Sequence, residues 1–267
     1  MTSHDVIYRI RKVLNIKKVG HAGTLDPLAQ GVLPVGVGNA TRLLDYLPNE
    51  KEYIAEMKFG YISDTFDSEG KISKYSELQA DEETLKNAVM SFVGDITQKP
   101  PIYSAVKVNG KKLYDYARKG ISAEIPERII HVDKIDLLSL NEEENTAKIL
   151  VRCSKGTYIR SIINDLGQKL QIGAYMTDLT RTLSGGMRIE NSVNIDDITP
   201  EFIISPNSVL NFPETELSVS EYQRVKNGNP VNINEKDGFV FLKYNKSIVS
   251  LADIVNGVAY SKKVFSS

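Results

Sequence analysis

Cysteine and histidine are scarce in this chain, with Cys153 alone and three histidines among 267 residues. A lone cysteine cannot close an internal disulfide, which fits a reducing cytoplasm, and it excludes a cysteine-rich zinc site. Three histidines without paired Cys/His spacing give no expectation of a metal centre. Long apolar runs are missing as well: none approaches the roughly 18 residues that a membrane span needs, and no secretory type of leader opens the sequence. Net charge is nearly absent, at a formal -1. That sum excludes little, because it hides how the charges are distributed. What remains is an ordinary globular composition, 41% apolar and 25% charged. The length suits a main body with a small appendage.

The charges are segregated. Residues 1–24 hold five basic side chains against one acid, residues 99–128 seven against three, and residues 64–83 seven acids against two lysines. A solvated face explains such segregation as readily as polyanion binding does.

Along the chain, Val6, Ile7, Ile10, Val13 and Leu14 recur at helical spacing, with Thr2 and Asp5 in capping-box register, so a helix is expected from about residue 3. Thr41 to Leu47 reads as a short helix ended by Pro48. Lys51 to Gly60 alternates Tyr53, Ala55, Met57 and Phe59 against Glu52, Glu56 and Lys58, a half-buried strand. Asp81 should cap a helix lined by Leu85, Ala88, Val89 and Phe92. Residues 98–128 are basic and carry Tyr103, Tyr114 and Tyr116, a mixture suited to stacking on bases while neutralising phosphates, although Tyr114 could equally be core. A hairpin follows, about Ile129–Leu140 and Thr146–Cys153, then a helix on Ile159, Ile162, Ile163, Leu166 and Leu170, then a strand pair within Ala174–Glu190. Residues 195–213, punctuated by prolines, read as a linker. Residues 215–267 read as a small β-rich module with one short helix.

The most constrained stretch runs from Gly20 to Gly38. Glycines and two prolines surround His21, Thr24 and Asp26, the side chains there with hydrogen-bonding chemistry of interest. Asp26 before Pro27 could merely cap a helix. The run Gly20-His21-Ala22-Gly23-Thr24-Leu25-Asp26-Pro27-Leu28-Ala29-Gln30-Gly31-Val32-Leu33-Pro34, followed by Gly38-Asn39-Ala40-Thr41-Arg42, resembles the catalytic motif of the TruB family, the tRNA pseudouridine-55 synthases. Lys51-Glu52-Tyr53, Asp64 to Gly70, Pro100 to Gly110, Cys153 to Arg160 and Leu179-Thr180-Arg181-Thr182 resemble further blocks of that family in the same order. The match reaches from residue 2 to about 190.

The resemblance implies an α+β fold, a pseudouridine-synthase-like, largely antiparallel sheet with flanking helices. It implies a catalytic domain over residues 1–200, a thumb-like RNA-binding segment at 98–128 and a PUA-like RNA-binding module at 215–267. The implied reaction turns uridine 55 in the T loop of tRNA into pseudouridine, with no metal, nucleotide or other cofactor, no membrane, and a monomeric cytoplasmic enzyme. By matched position Asp26 is the nucleophile, Arg160 its buried cation and Tyr53 the ring against a flipped uracil. His21 fills the space the base vacates, Tyr158 and Leu179 close the pocket, and Asp67 lies near the base. Thr24 and Lys107 are further RNA-binding candidates. Relatives usually carry a strand and a Lys-Pro segment ahead of Thr2-Ser3-His4, so the resemblance implies a missing strand and a missing lysine here, from a truncated start or an authentic loss. The residues leave three rivals: a nucleotidyltransferase, a glycosidase using Asp64 or Asp67 as second carboxylate, and a non-catalytic RNA-binding protein.

Overall fold

The computed structural model describes residues 1–121 and 124–265, and the backbone but not the side chain of Arg118. The expected thumb is therefore described apart from residues 122 and 123, and the last module apart from 266 and 267. Two compact units emerge. One comprises Met1–Val6, Gly23–Pro34 and Pro48–Val193; the other comprises Ile7–Ala22, Val35–Leu47 and Asn194–Ser267.

The first unit is built on a seven-stranded sheet. Its path runs Met187–Arg188, Ala174–Ser184, Lys51–Phe59, Thr146–Cys153, Arg128–Asn141, Gly94–Gln98, with antiparallel neighbours throughout. Gln30–Gly31 adds a parallel pairing to Ala174–Ser184, which makes the sheet mixed. The period-2 pattern of Lys51–Phe59 explains its central place: Tyr53, Ala55, Met57 and Phe59 all face the core. Helices Glu82–Met90 and Ile159–Lys169 cover that face with Leu85, Val89, Ile162, Ile163 and Leu166. Each such side chain contributes roughly 1.5–3 kcal/mol through burial. Asp81 caps the first helix as its sequence position requires, its Oδ1 accepting from Thr84 N at 2.9 Å.

One local expectation is refined and another fails. The short helix expected at 41–47 is present as a 3-10 helix over Gly38–Tyr46, where the Thr41 hydroxyl donates to the Gly38 carbonyl at 2.8 Å and competes with α-type pairing. Glu52, assigned by alternation to the wet face, is buried. Arg152 Nη2 and the Thr182 hydroxyl both donate to it at 2.9 Å. Burial opposes its ionisation, but these two donors and the Arg152 charge hold the carboxyl below its usual range.

In the second unit, Val19–His21 pairs antiparallel with Val35–Val37. The C-terminal stretch forms a five-stranded sheet ordered Glu214–Glu216, Gly238–Tyr244, Ser247–Val255, Val258–Val264, Val231–Asn232. Helix Val219–Lys226 packs Val225 against Leu217, Val240, Leu242 and Ile254, and a Ser218/Glu221 capping box opens it. Leu43 of the 3-10 helix packs with Phe241 and Leu251.

Candidate active site

The loop that carries Asp26 is held by one strand. Gln30–Gly31 pairs with Thr180 and Arg181, and Val32 N donates to the Arg181 carbonyl at 2.8 Å. The fully buried Arg181 side chain then reaches back: Nε donates to Val32 O at 2.8 Å, Nη2 to Gly23 O at 3.1 Å and Nη1 to Thr24 O at 3.4 Å. A planar guanidinium can serve several fixed carbonyls at once in a way an ammonium cannot. Glycine is required at position 31: its φ is +102°, and a Cβ there would lie 2.2 Å from the Arg181 carbonyl oxygen.

Within the loop, Asp26 opens a turn rather than a helix, its carbonyl accepting from Ala29 N at 2.9 Å. Pro27 supplies the fixed φ such a turn wants at its second position. The carboxylate goes elsewhere. Its Oδ2 lies 2.9 Å from Nε of Arg160, at the first turn of helix Ile159–Lys169. Arg160 is buried and nearly saturated: Nη1 donates to Thr65 O at 3.1 Å and pairs with Asp67 Oδ2 at 3.2 Å, while Nη2 donates to Tyr103 O at 3.1 Å. The two carboxylates differ in access. The Asp26 side chain is 34% exposed and that of Asp67 3%. Asp67 is further committed, its Oδ1 accepting from the Thr65 hydroxyl and from Glu69 N. Asp26 can meet a substrate and Asp67 cannot.

Tyr53 stands on the central strand opposite Arg181. Burial pushes its phenol up to about 12, so it stays neutral across the physiological range. Leu179 is buried on the neighbouring strand, opposite Ala55. Tyr158 precedes helix Ile159–Lys169, its backbone N–H donating to Gln98 Oε1 at 2.8 Å and its carbonyl accepting from Gln98 Nε2 at 3.0 Å. Thr24 is exposed and enters the loop's bonding through its carbonyl. Lys107 is exposed, on the short strand Lys107–Val108 paired with Lys111–Lys112. His21 belongs to the second unit, paired with Val35.

The structure thus brings Asp26, Arg160 and Asp67 together, with Tyr53 beside Arg181. Sequence reasoning passed over Arg181 and Lys51 as site residues. A signal existed for both. Arg181 falls between Leu179 and Leu183 on the buried phase of its strand, and Lys51 is in phase with Tyr53, Ala55, Met57 and Phe59.

The family model described as "TruB family pseudouridylate synthase (N terminal domain)" matches residues 11–159. A protein named tRNA pseudouridine synthase B from Clostridium tetani is 46% identical, over 88% of this chain and 83% of its own length. Its namesake from Carboxydothermus hydrogenoformans is 42% identical over 99% and 94%. The one from Lactobacillus delbrueckii subsp. bulgaricus is 39% identical over 94% and 89%. Among solved structures, one described as a Cbf5-Nop10-Gar1 complex superposes with a TM-score of 0.72 at 28% identity, covering 100% of this chain and 82% of that one. Another, an H/ACA RNP bound to a substrate RNA containing 2'-deoxyuridine, gives 0.70 at 25% identity with the same coverage.

Proposed function

The chain belongs to the TruB family of pseudouridylate synthases, and from that premise we propose that it is a tRNA pseudouridine synthase acting on uridine 55 of the T loop. In this reading the N1–C1′ bond of the uridine breaks and a C5–C1′ bond forms. C5 gives up a proton and N1 gains one, so composition is unchanged and no redox partner or cofactor is called for. Asp26 is the nucleophile. The observation that carries the reading is the Asp26–Arg160 pair: a carboxylate open on one side and paired on the other with a buried guanidinium.

The remaining roles follow the same proposal. The uridine must leave its loop before a side chain can reach its sugar, and His21 fills the vacancy. The flipped base lies against Tyr53, with Tyr158 and Leu179 closing the pocket and Asp67 steadying Arg160. Residues 1–200 supply the catalysis. The basic segment 98–128, with Lys107, covers the RNA, Thr24 lies along its path, and the PUA-like module at 215–267 grips the tRNA. The enzyme works as a cytoplasmic monomer. A glycosidase with Asp67 as its second carboxylate is disfavoured because Asp67 is buried and fully engaged, leaving no open face to activate water.

The test is direct. Unmodified tRNA incubated with wild type should acquire pseudouridine, read as a reverse-transcription stop after carbodiimide treatment, whereas Asp26→Asn should give no detectable product while still binding RNA. Equal product from both proteins would sink the assignment of Asp26.

A further inference from the structure

Lys51 is half-buried, and its amine makes no ion pair or hydrogen bond among the described residues. The charges that bear on it are those of Arg181 and Lys155, beside the buried Cys153 thiol, and no carboxylate is among them. Arg181 likewise has no acid partner among the described residues, its guanidinium meeting three backbone carbonyls and the Tyr53 phenol. Both cations converge on Gly23. A Cβ at that residue would meet Lys51 Nζ at 3.0 Å and Arg181 Nη1 at 3.7 Å, so the missing side chain is what lets them approach the same stretch of backbone. Gly23 is three residues from Asp26, and Lys51 lies two residues from Tyr53 on the same face of its strand.

Buried cations are ordinarily paired, because removing charge from water without a partner is expensive. By contrast, the neighbouring Arg160 has two carboxylates. One cluster therefore carries a surplus of negative charge at Asp26 and the other an unbalanced excess of positive charge at Gly23, within one unit and three residues apart along the same loop. Among the described residues none supplies an anion to the second cluster, which leaves it open to one carried by a substrate. Of the two cations, only Lys51 retains exposure; Arg181 has none and acts through its field.

We propose that Lys51, backed by Arg181, is the seat of a backbone phosphodiester of the RNA next to the target uridine. This rests on the reading above that the substrate is RNA. It adds a second point of attachment for the flipped nucleotide: the sugar presented to Asp26 and the phosphate held by Lys51.

The test pairs a protein change with a neutralised linkage. Stem-loop RNAs corresponding to the T arm are made with one methylphosphonate at each linkage flanking the target uridine, and their Kd values are measured against wild type, Lys51→Met and Lys51→Arg. On unmodified RNA, Lys51→Met should weaken binding about tenfold, as expected for losing one charge-assisted contact, and lower the salt slope by about 1. Lys51→Arg should recover most of the loss. One particular methylphosphonate should weaken wild type to a similar degree and weaken Lys51→Met no further. A loss in Lys51→Met that is the same at every linkage would overturn the proposal, as would a fall in the saturating single-turnover rate with Kd unchanged, which would mark Lys51 as a proton-transfer group. If inorganic phosphate, compared with chloride at equal ionic strength, abolishes the difference between the two proteins, the site is one for a free anion and the proposal also fails. Absence of pseudouridine with wild type would defeat the functional reading while leaving the linkage result intact.

Discussion

Two arginines divide the work around Asp26. Arg160 holds the carboxylate, and Arg181 holds the backbone that presents it. Replacing Arg181 with methionine keeps the volume but leaves buried carbonyls at Gly23 and Val32 without their donor. Such groups cost about 1–3 kcal/mol each, so urea unfolding should show a loss of a few kcal/mol, with the midpoint falling and the m-value steady. Lys51 offers a titration of definite sign. Burial, with Arg181 adding to it, pushes its amine down to about 8 from an unfolded value near 10.5. Between those values the unfolded chain binds more protons, so this group's contribution makes the fold more stable as pH rises from 8 toward 10. Wild type should gain on Lys51→Met in urea melts across pH 8 to 9. Cys153 behaves oppositely in kind: burial raises its thiol to about 11, so a disulfide reagent at pH 8 should leave it unlabelled until the protein unfolds.

At the scale of elements, the loop depends on the two-residue parallel pairing at Gln30–Gly31. Gly31→Ala forces a side chain into the Arg181 carbonyl at a position with positive φ. The sheet has other pairings to keep it folded, so the expected outcome is activity reduced at least a hundredfold in the pseudouridine assay with the far-ultraviolet circular dichroism spectrum retained; a displacement of about 1 Å is enough for such a loss. Most elements were legible in the sequence because they obey one rule at a time. Lys51–Phe59 alternates, Ile159–Lys169 repeats at helical spacing, and Asp81 caps. The departures came where a side chain overrides the pattern. Thr41 tightens a helix into a 3-10 form, and Glu52 is drawn inside by Arg152 and Thr182, partners 100 or more residues away. The site divides the same way. Asp26 and Arg160 were readable from the resemblance of local motifs, whereas the partnership of Lys51 and Arg181 exists only once two strands lie close to one loop.

For the molecule as a whole, protection should follow pairing. Lys51–Phe59 is bonded along both edges and packed on a continuous core, so its amides should be the slowest to exchange in the first unit. The hairpin Lys107–Val108 with Lys111–Lys112 has one short ladder and exposed lysines, and should exchange among the fastest. Hydrogen exchange read by mass spectrometry distinguishes the two within minutes to hours. The clamp on the loop carries a further consequence, in time rather than space. Arg181 and Val32 are 149 residues apart in the chain. The segment bearing Asp26 leaves the ribosome early, yet the guanidinium that holds its Gly23, Thr24 and Val32 carbonyls is in place only when the strand Ala174–Ser184 has been synthesised and has found its neighbours. Closing so long an interval is among the slowest steps available to a fold of this kind. A nascent chain halted before residue 174 would therefore hold every atom of the Asp26–Arg160 pair and still be inert, and competence should appear only as the last strands of the sheet join.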